Sequence, residues 1–231
     1  MAAGFPPRLL PAGLRRRLDR ARLRDPDYGF LFEPGPEDEA VAFDCETTGL
    51  DPRRDDVVAI AALRIRGNRL LTSERFQAVV RPKAAMAREA IRVHGLREAD
   101  VIEGRRIEDV VPEFLRFIGG RALVGYYLEF DVRMIDKTLR PLLGIGLPNP
   151  CVEVSALYYE RKYGDAPPGA TVDLSFAAML RDLDIPALDQ HDAFNDALMT
   201  AMTYVKLRDL KDRGIRIRRD SHPADGHMAI G

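Results

Sequence analysis

Val41-Ala42-Phe43-Asp44-Cys45-Glu46-Thr47-Thr48-Gly49-Leu50 begins apolar, delivers two acids and breaks at glycine. It reads as a central strand that carries two carboxylates to a site. Alternate side chains of a strand share a face, so Asp44 and Glu46 point one way while Phe43 and Cys45 enter the opposite layer. Two ionised carboxylates held side by side cost free energy unless a cation neutralises them or one takes up a proton. A hard divalent ion bound through oxygen is the simplest remedy. Gly49 permits a tight turn and close backbone approach, and the hydroxyls and N–H groups of Thr47 and Thr48 can serve a phosphate or sugar.

Downstream of this strand, Asp55-Asp56 leads into the apolar run Val57 to Ile65, Gly67-Asn68 signals a turn, and Leu70 to Val80 alternates. Together these predict a three-stranded antiparallel meander. A short helix over about 85–92 closes at His94-Gly95, where glycine can take the left-handed cap conformation. A helix over 107–118 follows. Ala122-Leu123-Val124-Gly125 is short, apolar and glycine-bounded, as a buried parallel strand should be. Tyr126-Tyr127-Leu128-Glu129-Phe130-Asp131 opens a helix to about Leu143, the stretch from Cys151 to Tyr163 takes no clear type, and helices are predicted near 174–183 and 193–212. Strands first, then strands alternating with helices, imply a mixed α/β sheet covered by helices.

Upstream, Leu14, Leu18 and Leu23 give a short helix an apolar stripe, Asp25-Pro26-Asp27 stops it, and Pro34-Gly35-Pro36 marks a linker. The expected organisation is a basic helix and linker over 1–39, one domain over 40–212 and a short tail over 213–231. With 231 residues, 46% hydrophobic and 31% charged, one globular domain with a sizeable core is the natural reading. The net charge of −1 conceals basic ends. Seven arginines stand against Asp19 within residues 1–24, and Lys211, Arg213, Arg216, Arg218 and Arg219 stand against Asp212. Basic arms suit a polyanion partner, and the first of them is expected to hold nucleic acid or a protein, or to cap the sheet. Cys45 and Cys151 alone cannot build a disulfide framework or a cysteine zinc site, which fits a reducing compartment. No apolar run matches a bilayer and no signal-peptide core is visible, so a cytoplasmic protein is expected.

Two further places offer chemistry. Asp131 follows a buried strand, where ligand groups gather in open α/β sheets, though a helix start also favours an acid there. In His191-Asp192-Ala193-Phe194-Asn195-Asp196-Ala197, His191 and Asp196 do not share a helix face, so His191 belongs on the preceding loop if both aim at one point. Asp192 and Asp196 do share a face, and spacing alone leaves both open as ligands.

Phe43-Asp44-Cys45-Glu46-Thr47-Thr48-Gly49-Leu50, then Phe130-Asp131, then His191-x-Ala193-x-x-Asp196-Ala197, in that order and at those separations, resemble the DEDDh 3′–5′ exonucleases, the group of the epsilon proofreading subunit of bacterial DNA polymerase III. The likeness covers about Ala40 to Leu210, and Glu89-Ala90-Ile91-Arg92-Val93-His94-Gly95-Leu96 resembles a fourth stretch of that family. The resemblance implies a ribonuclease H-like sheet and two divalent metal ions, Mg²⁺ or Mn²⁺, held by Asp44, Glu46, Asp131 and Asp196 directly or through water. His191 is then the implied general base, a role that suits an imidazole titrating near neutral pH. Two such cations, roughly 4 Å apart, stabilise the attacking and leaving oxygens of a phosphodiester displacement.

By the same resemblance Thr47, Thr48, Gly49 and Leu50 line the terminal nucleotide, with Leu50 wedged against bases, and Glu89 and His94 match contact positions. Tyr126-Tyr127 replaces the family's usual His-Asn, which offers Tyr127 as a ring for stacking on a base. The expected activity is release of nucleoside 5′-monophosphates from single-stranded DNA with a free 3′ end, in repair or proofreading, with a polymerase or another repair protein as partner and no membrane. An exoribonuclease of the same superfamily would use identical chemistry, and only pocket contacts to the 2′-OH separate the two. A silent nucleic-acid-binding scaffold is disfavoured by the presence of all four acids and the histidine.

Overall fold

The computed structural model of the chain describes residues 12–167, 169–189 and 191–219. Five strands, β1 (Glu39–Thr47), β2 (Val57–Arg66), β3 (Arg69–Val79), β4 (Ala122–Gly125) and β5 (Cys151–Glu153), form one sheet in the order β3-β2-β1-β4-β5. The β1–β2 and β2–β3 pairings are antiparallel, and the β1–β4 and β4–β5 pairings parallel. This is the mixed sheet the sequence led us to expect, with the acid-bearing strand at its centre. Around it lie α1 (Ala12–Arg22), α2 (Arg88–His94), α3 (Glu98–Val101), α4 (Ile107–Ile118), α5 (Leu128–Leu143), α6 (Val154–Tyr163), α7 (Phe176–Asp182) and α8 (Ala193–Asp212). Gly95 ends α2 at φ 72°, the left-handed cap anticipated for it.

Strand alternation divides the core. Val41, Phe43 and Cys45 of β1 join Ile60 and Ala62 of β2 in a layer with α4 and α5, where Phe43 meets Phe114 at 5.3 Å between ring centroids. Ala40 and Ala42 face the other way, against Ala197 and Ala201 of α8. Small residues on both sides let α8 lie close over the central strand. That close approach sets the height of Asp196 above β1.

The undecided stretch from Cys151 to Tyr163 is a three-residue edge strand followed directly by α6. Glu153 joins them, accepting the N–H of Ser155 at 3.1 Å and the N–H of Leu128 at 3.0 Å. Upstream, one boundary moves. Leu31 and Phe32 end a 3-10 helix (Pro26–Phe32) and are buried in the α4/α5 layer, so the folded unit begins well before Ala40. Asp25 opens that helix by accepting the Asp27 N–H at 3.0 Å, the capping role that aspartate fills in short turns.

The basic helix α1 docks at the end of the molecule away from the acids. Arg16 donates to the carbonyls of Pro148 (3.0 Å) and Leu31 (3.3 Å), and Arg24 donates to those of Pro141 (2.8 Å) and Leu143 (3.0 Å). The Pro141 and Leu143 acceptors lie at the C-terminal end of α5, roughly 15–18 Å along the helix from Asp131 at ~1.5 Å per residue, and Pro148 lies in the loop beyond it. The part of the arm that the structure describes therefore caps the fold, while Arg8 and the rest of residues 1–11 lie outside the described residues, as do 220–231 of the tail. Residues 213–219 turn back along α6, with the Ile217 N–H donating to the Arg161 carbonyl at 3.1 Å. No helix among the described residues is long and apolar enough to cross a membrane.

Candidate active site

Antiparallel register places Asp44 opposite Ala61 and Glu46 opposite Ala59, so neighbouring side chains on that face are small and leave room above the acids. The first turn of α8 closes over this space. Asp192 is its N-cap and accepts the N–H groups of Phe194 (3.1 Å) and Asn195 (2.9 Å). Asp196, one turn further, brings a carboxylate oxygen to Asp44 and Glu46, and the ligand atoms of the three lie within 4.8 Å of one another. Of the two acids that spacing left open, Asp192 is engaged at the helix start and Asp196 is the one that joins the strand acids. Asp131, buried on α5, accepts the Cys45 N–H at 3.2 Å and so rests against β1 between the two strand acids.

Asp44, Glu46 and Asp196 therefore meet, with Asp131 of a third element close enough to feel the charge of the strand acids, and their electrostatics register the crowding. Burial, then the charges of Asp196 and Asp192, push the Asp44 carboxyl up to about 8. Glu46 is likewise raised to about 8, by burial first and then by Asp44, Asp196 and Asp192. Burial and Asp44 raise Asp131 well above the usual carboxylate range, and burial raises Asp196. The Cys45 thiol, on the other face of β1 in the α4/α5 layer, is also driven up, by burial first and then by Asp131, Asp44 and Glu46. An all-oxygen, strongly anionic donor set of this kind fits a hard divalent cation and lacks the nitrogen and sulfur donors that softer metals favour.

His191 stands on the loop before α8, as its spacing from Asp196 required. Its backbone is left-handed at φ 66°, and its N–H donates to Asp196 Oδ2 at 2.9 Å. Histidine tolerates this conformation better than most side chains. The backbone bond ties the imidazole's position to the carboxylate beside which it would act.

The turn after β1 is held by its own hydroxyls. Thr47 Oγ1 donates to the Gly49 carbonyl at 2.8 Å; the buried Thr48 donates to Asp55 Oδ1 at 3.1 Å and accepts the Asp56 N–H at 3.0 Å. Both hydroxyls thus shape the loop. Asp55, read in the sequence only as a lead-in to β2, is the organiser: a Cβ built on Gly49 would come 2.6 Å from its carboxylate, which also accepts the Asp51 N–H at 2.8 Å. We expect Gly49→Ala to cost about 1–3 kcal/mol of stability through this overlap. In an Asp55→Ala background the same change should cost clearly less, and equal costs in a thermal-denaturation double-mutant cycle would remove Asp55 as the reason for the glycine.

His94 spends both ring nitrogens on backbone. Nδ1 accepts the Leu96 N–H at 3.1 Å, which leaves Nε2 to donate to the Thr47 carbonyl at 3.2 Å. Burial lowers its pKa, in keeping with a neutral ring that ties the end of α2 to the end of β1. Glu89 is exposed on the first turn of α2. Leu50 at the turn and Tyr127 before α5 are the most exposed large apolar side chains around the acids, at 86% and 68%.

Compared with known proteins, residues 41–204 match the family described as Exonuclease. The chain belongs to this exonuclease family. Over 167 residues it is 29% identical to the DNA polymerase III subunit epsilon of Aquifex aeolicus, a match that covers 72% of this chain and 79% of that protein. It is 32% identical over 180 residues to a DNA polymerase III subunit epsilon-like protein of Rhodobacter capsulatus, covering 76% of this chain and 24% of that one. A PolC-type DNA polymerase III from Thermotoga maritima is 26% identical, and there the match spans 72% of this chain and only 12% of the polymerase. Among solved structures, Exonuclease X in complex with 5′ overhanging duplex DNA superposes with a TM-score of 0.57 at 22% identity, covering 77% of this chain and 95% of that one. E. coli Exonuclease I in complex with a dA16 oligonucleotide gives 0.64 at 14% identity, covering 77% and 42%. At these identities the structural likeness establishes the ribonuclease H-like fold of the chain, in agreement with its five-stranded mixed sheet.

Proposed function

We propose that this exonuclease hydrolyses the terminal phosphodiester of single-stranded DNA from the 3′ end with the help of divalent metal ions. The observation that carries the proposal is the meeting of Asp44, Glu46 and Asp196 within 4.8 Å, with Asp131 on the Cys45 N–H. These four carboxylates would hold Mg²⁺ or Mn²⁺, which when bound supplies positive charge to the phosphate and its attacking and leaving oxygens. His191, exposed and anchored through its backbone to Asp196, takes the proton from the attacking water. The turn from Thr47 to Leu50, shaped by Asp55, presents Leu50 to the terminal base, and Glu89 and His94 border it from α2.

The 3′–5′ direction is supported by the ordered DEDDh motifs. A DNA substrate is supported by relatives named for DNA polymerase III and by structural neighbours solved with DNA. We assign the activity to repair or proofreading in the cytoplasm, with a polymerase as the natural protein partner. The test is digestion of matched 5′-labelled DNA and RNA oligonucleotides, with free or blocked 3′ ends, in Mg²⁺ and in Mn²⁺. DNA with a free 3′-hydroxyl should shorten stepwise and release 5′-monophosphates. Faster loss of RNA would favour the exoribonuclease reading, and an inert protein under both metals the scaffold.

A further inference from the structure

The acids of β1 have a different surface on each side. Toward β2 lies the turn that carries Leu50, tied down where the Thr48 N–H donates to the Asp56 carbonyl (2.9 Å) and the Ala87 N–H to the Thr48 carbonyl (3.0 Å). Toward β4 lies Tyr127, the residue that opens α5 one turn before Asp131, or roughly 6 Å along the helix. Its side chain caps nothing, is 68% exposed, and sits on a left-handed backbone at φ 54° and ψ 32°. A bulky ring in that conformation is uncommon, and such strain clusters where ligands are held.

The ring is also braced. Tyr126 lies 4.5 Å behind it between centroids, and Tyr126 in turn stacks on Phe176 at 4.9 Å and 20°. The Tyr126 hydroxyl donates to the Leu174 carbonyl at 3.2 Å, which fixes the middle ring. Three aromatic rings thus run from the protein outward, the last with a face open to solvent beside the acids. With the terminal nucleotide on the Leu50 side, as the proposed function has it, a strand whose scissile phosphate sits at the acids would carry its preceding nucleotide toward the β4 side.

We infer that Tyr127 is a stacking platform for the penultimate base of a single-stranded substrate, braced by Tyr126 and Phe176. The inference rests on the nuclease reading above and adds a subsite to it. It makes the preferred substrate an oligonucleotide with an unpaired penultimate base of any identity, since every base offers a π-face.

The test compares Tyr127→Ala and Tyr127→Phe on a single-stranded oligodeoxynucleotide and on the p-nitrophenyl ester of thymidine 5′-monophosphate, which has one base only. With Tyr127→Ala, KM for the oligonucleotide should rise on the order of 10-fold while the ester is turned over as before. Tyr127→Phe should behave as the unaltered protein on both. In a parallel binding assay, 2-aminopurine at the penultimate position should be quenched by the unaltered and Phe forms and not by the Ala form. Equal losses on both substrates, a Phe variant as poor as the Ala variant, or no change at all would overturn the platform. If the protein cleaves no oligonucleotide, the nuclease reading fails, and the quenching assay still decides whether the ring stacks.

Discussion

Asp196→Asn should lower kcat by about 10³-fold or more, while Asp192→Asn, four residues earlier on the same helix face, should stay within a few-fold of the unaltered protein. The two carboxylates look alike in sequence, and their surroundings make them different. Asp192 accepts two N–H groups at the start of α8. Asparagine caps a helix as well as aspartate does, so its amide can replace it at little cost. Asp196 shares a 4.8 Å cluster with Asp44 and Glu46. Replacing it keeps an oxygen that can still accept the His191 N–H and removes the charge that a divalent cation would need. A loss of several kcal/mol of transition-state stabilisation is a factor of about 10³, at tenfold for each ~1.4 kcal/mol. Steady-state rates of the two variants at saturating Mg²⁺ decide it, and a reversed order would move the candidate ligand from Asp196 to the cap.

The fold was legible where the signal is periodic or bounded. β2 to β4, α4 and α8 lie within a residue or so of their expected spans because alternation, a 3.6-residue period or flanking glycines mark them, while β1 begins two residues before its apolar run and ends at Thr47, short of the glycine. Cys151–Glu153 was not legible, since three residues cannot display a period and pairing with β4 alone makes them a strand. Leu31 and Phe32 were missed for a related reason: an apolar pair behind Asp25-Pro26-Asp27 looks like a linker until α4 and α5 supply its partners.

At the site, residue type and order suggested which acids to watch, whereas position had to come from packing. Nothing in the spelling of Asp55 distinguishes a residue that organises the turn around Gly49 from a solvent-facing acid. The sequence points His94 and Thr48 toward a ligand, and in the structure their polar side-chain atoms bond to backbone and to the turn around Asp55. Hydrogen bonds between residues tens of positions apart leave no local pattern to find.

Without divalent metal, the melting temperature should fall as pH rises from about 5 to 9, and millimolar Mg²⁺ should largely abolish that fall. The sign follows from the direction of the shifts. Asp44 and Glu46 are raised to about 8 in the folded protein, whereas an unfolded chain titrates such groups near 4. Below the unfolded value both states are protonated and the cluster costs nothing. Between the two values the folded state binds the extra protons, so unfolding becomes easier with each step in pH, by about 1.4 kcal/mol per unit for each excess proton. Above about 8 the full penalty is present. One excess proton between pH 6 and 8 amounts to about 3 kcal/mol, or roughly 5–10 °C for a domain of this size. A bound cation favours the ionised carboxylates and displaces those protons, so its stabilising effect must grow over the same interval and be accompanied by proton release. Asp44→Asn should flatten the metal-free profile and weaken the Mg²⁺ response together, because one clustered charge underlies both. A metal-free melting temperature that holds level or climbs through this range, or an Mg²⁺ effect independent of pH, would mean that the four acids do not share the charge their positions imply.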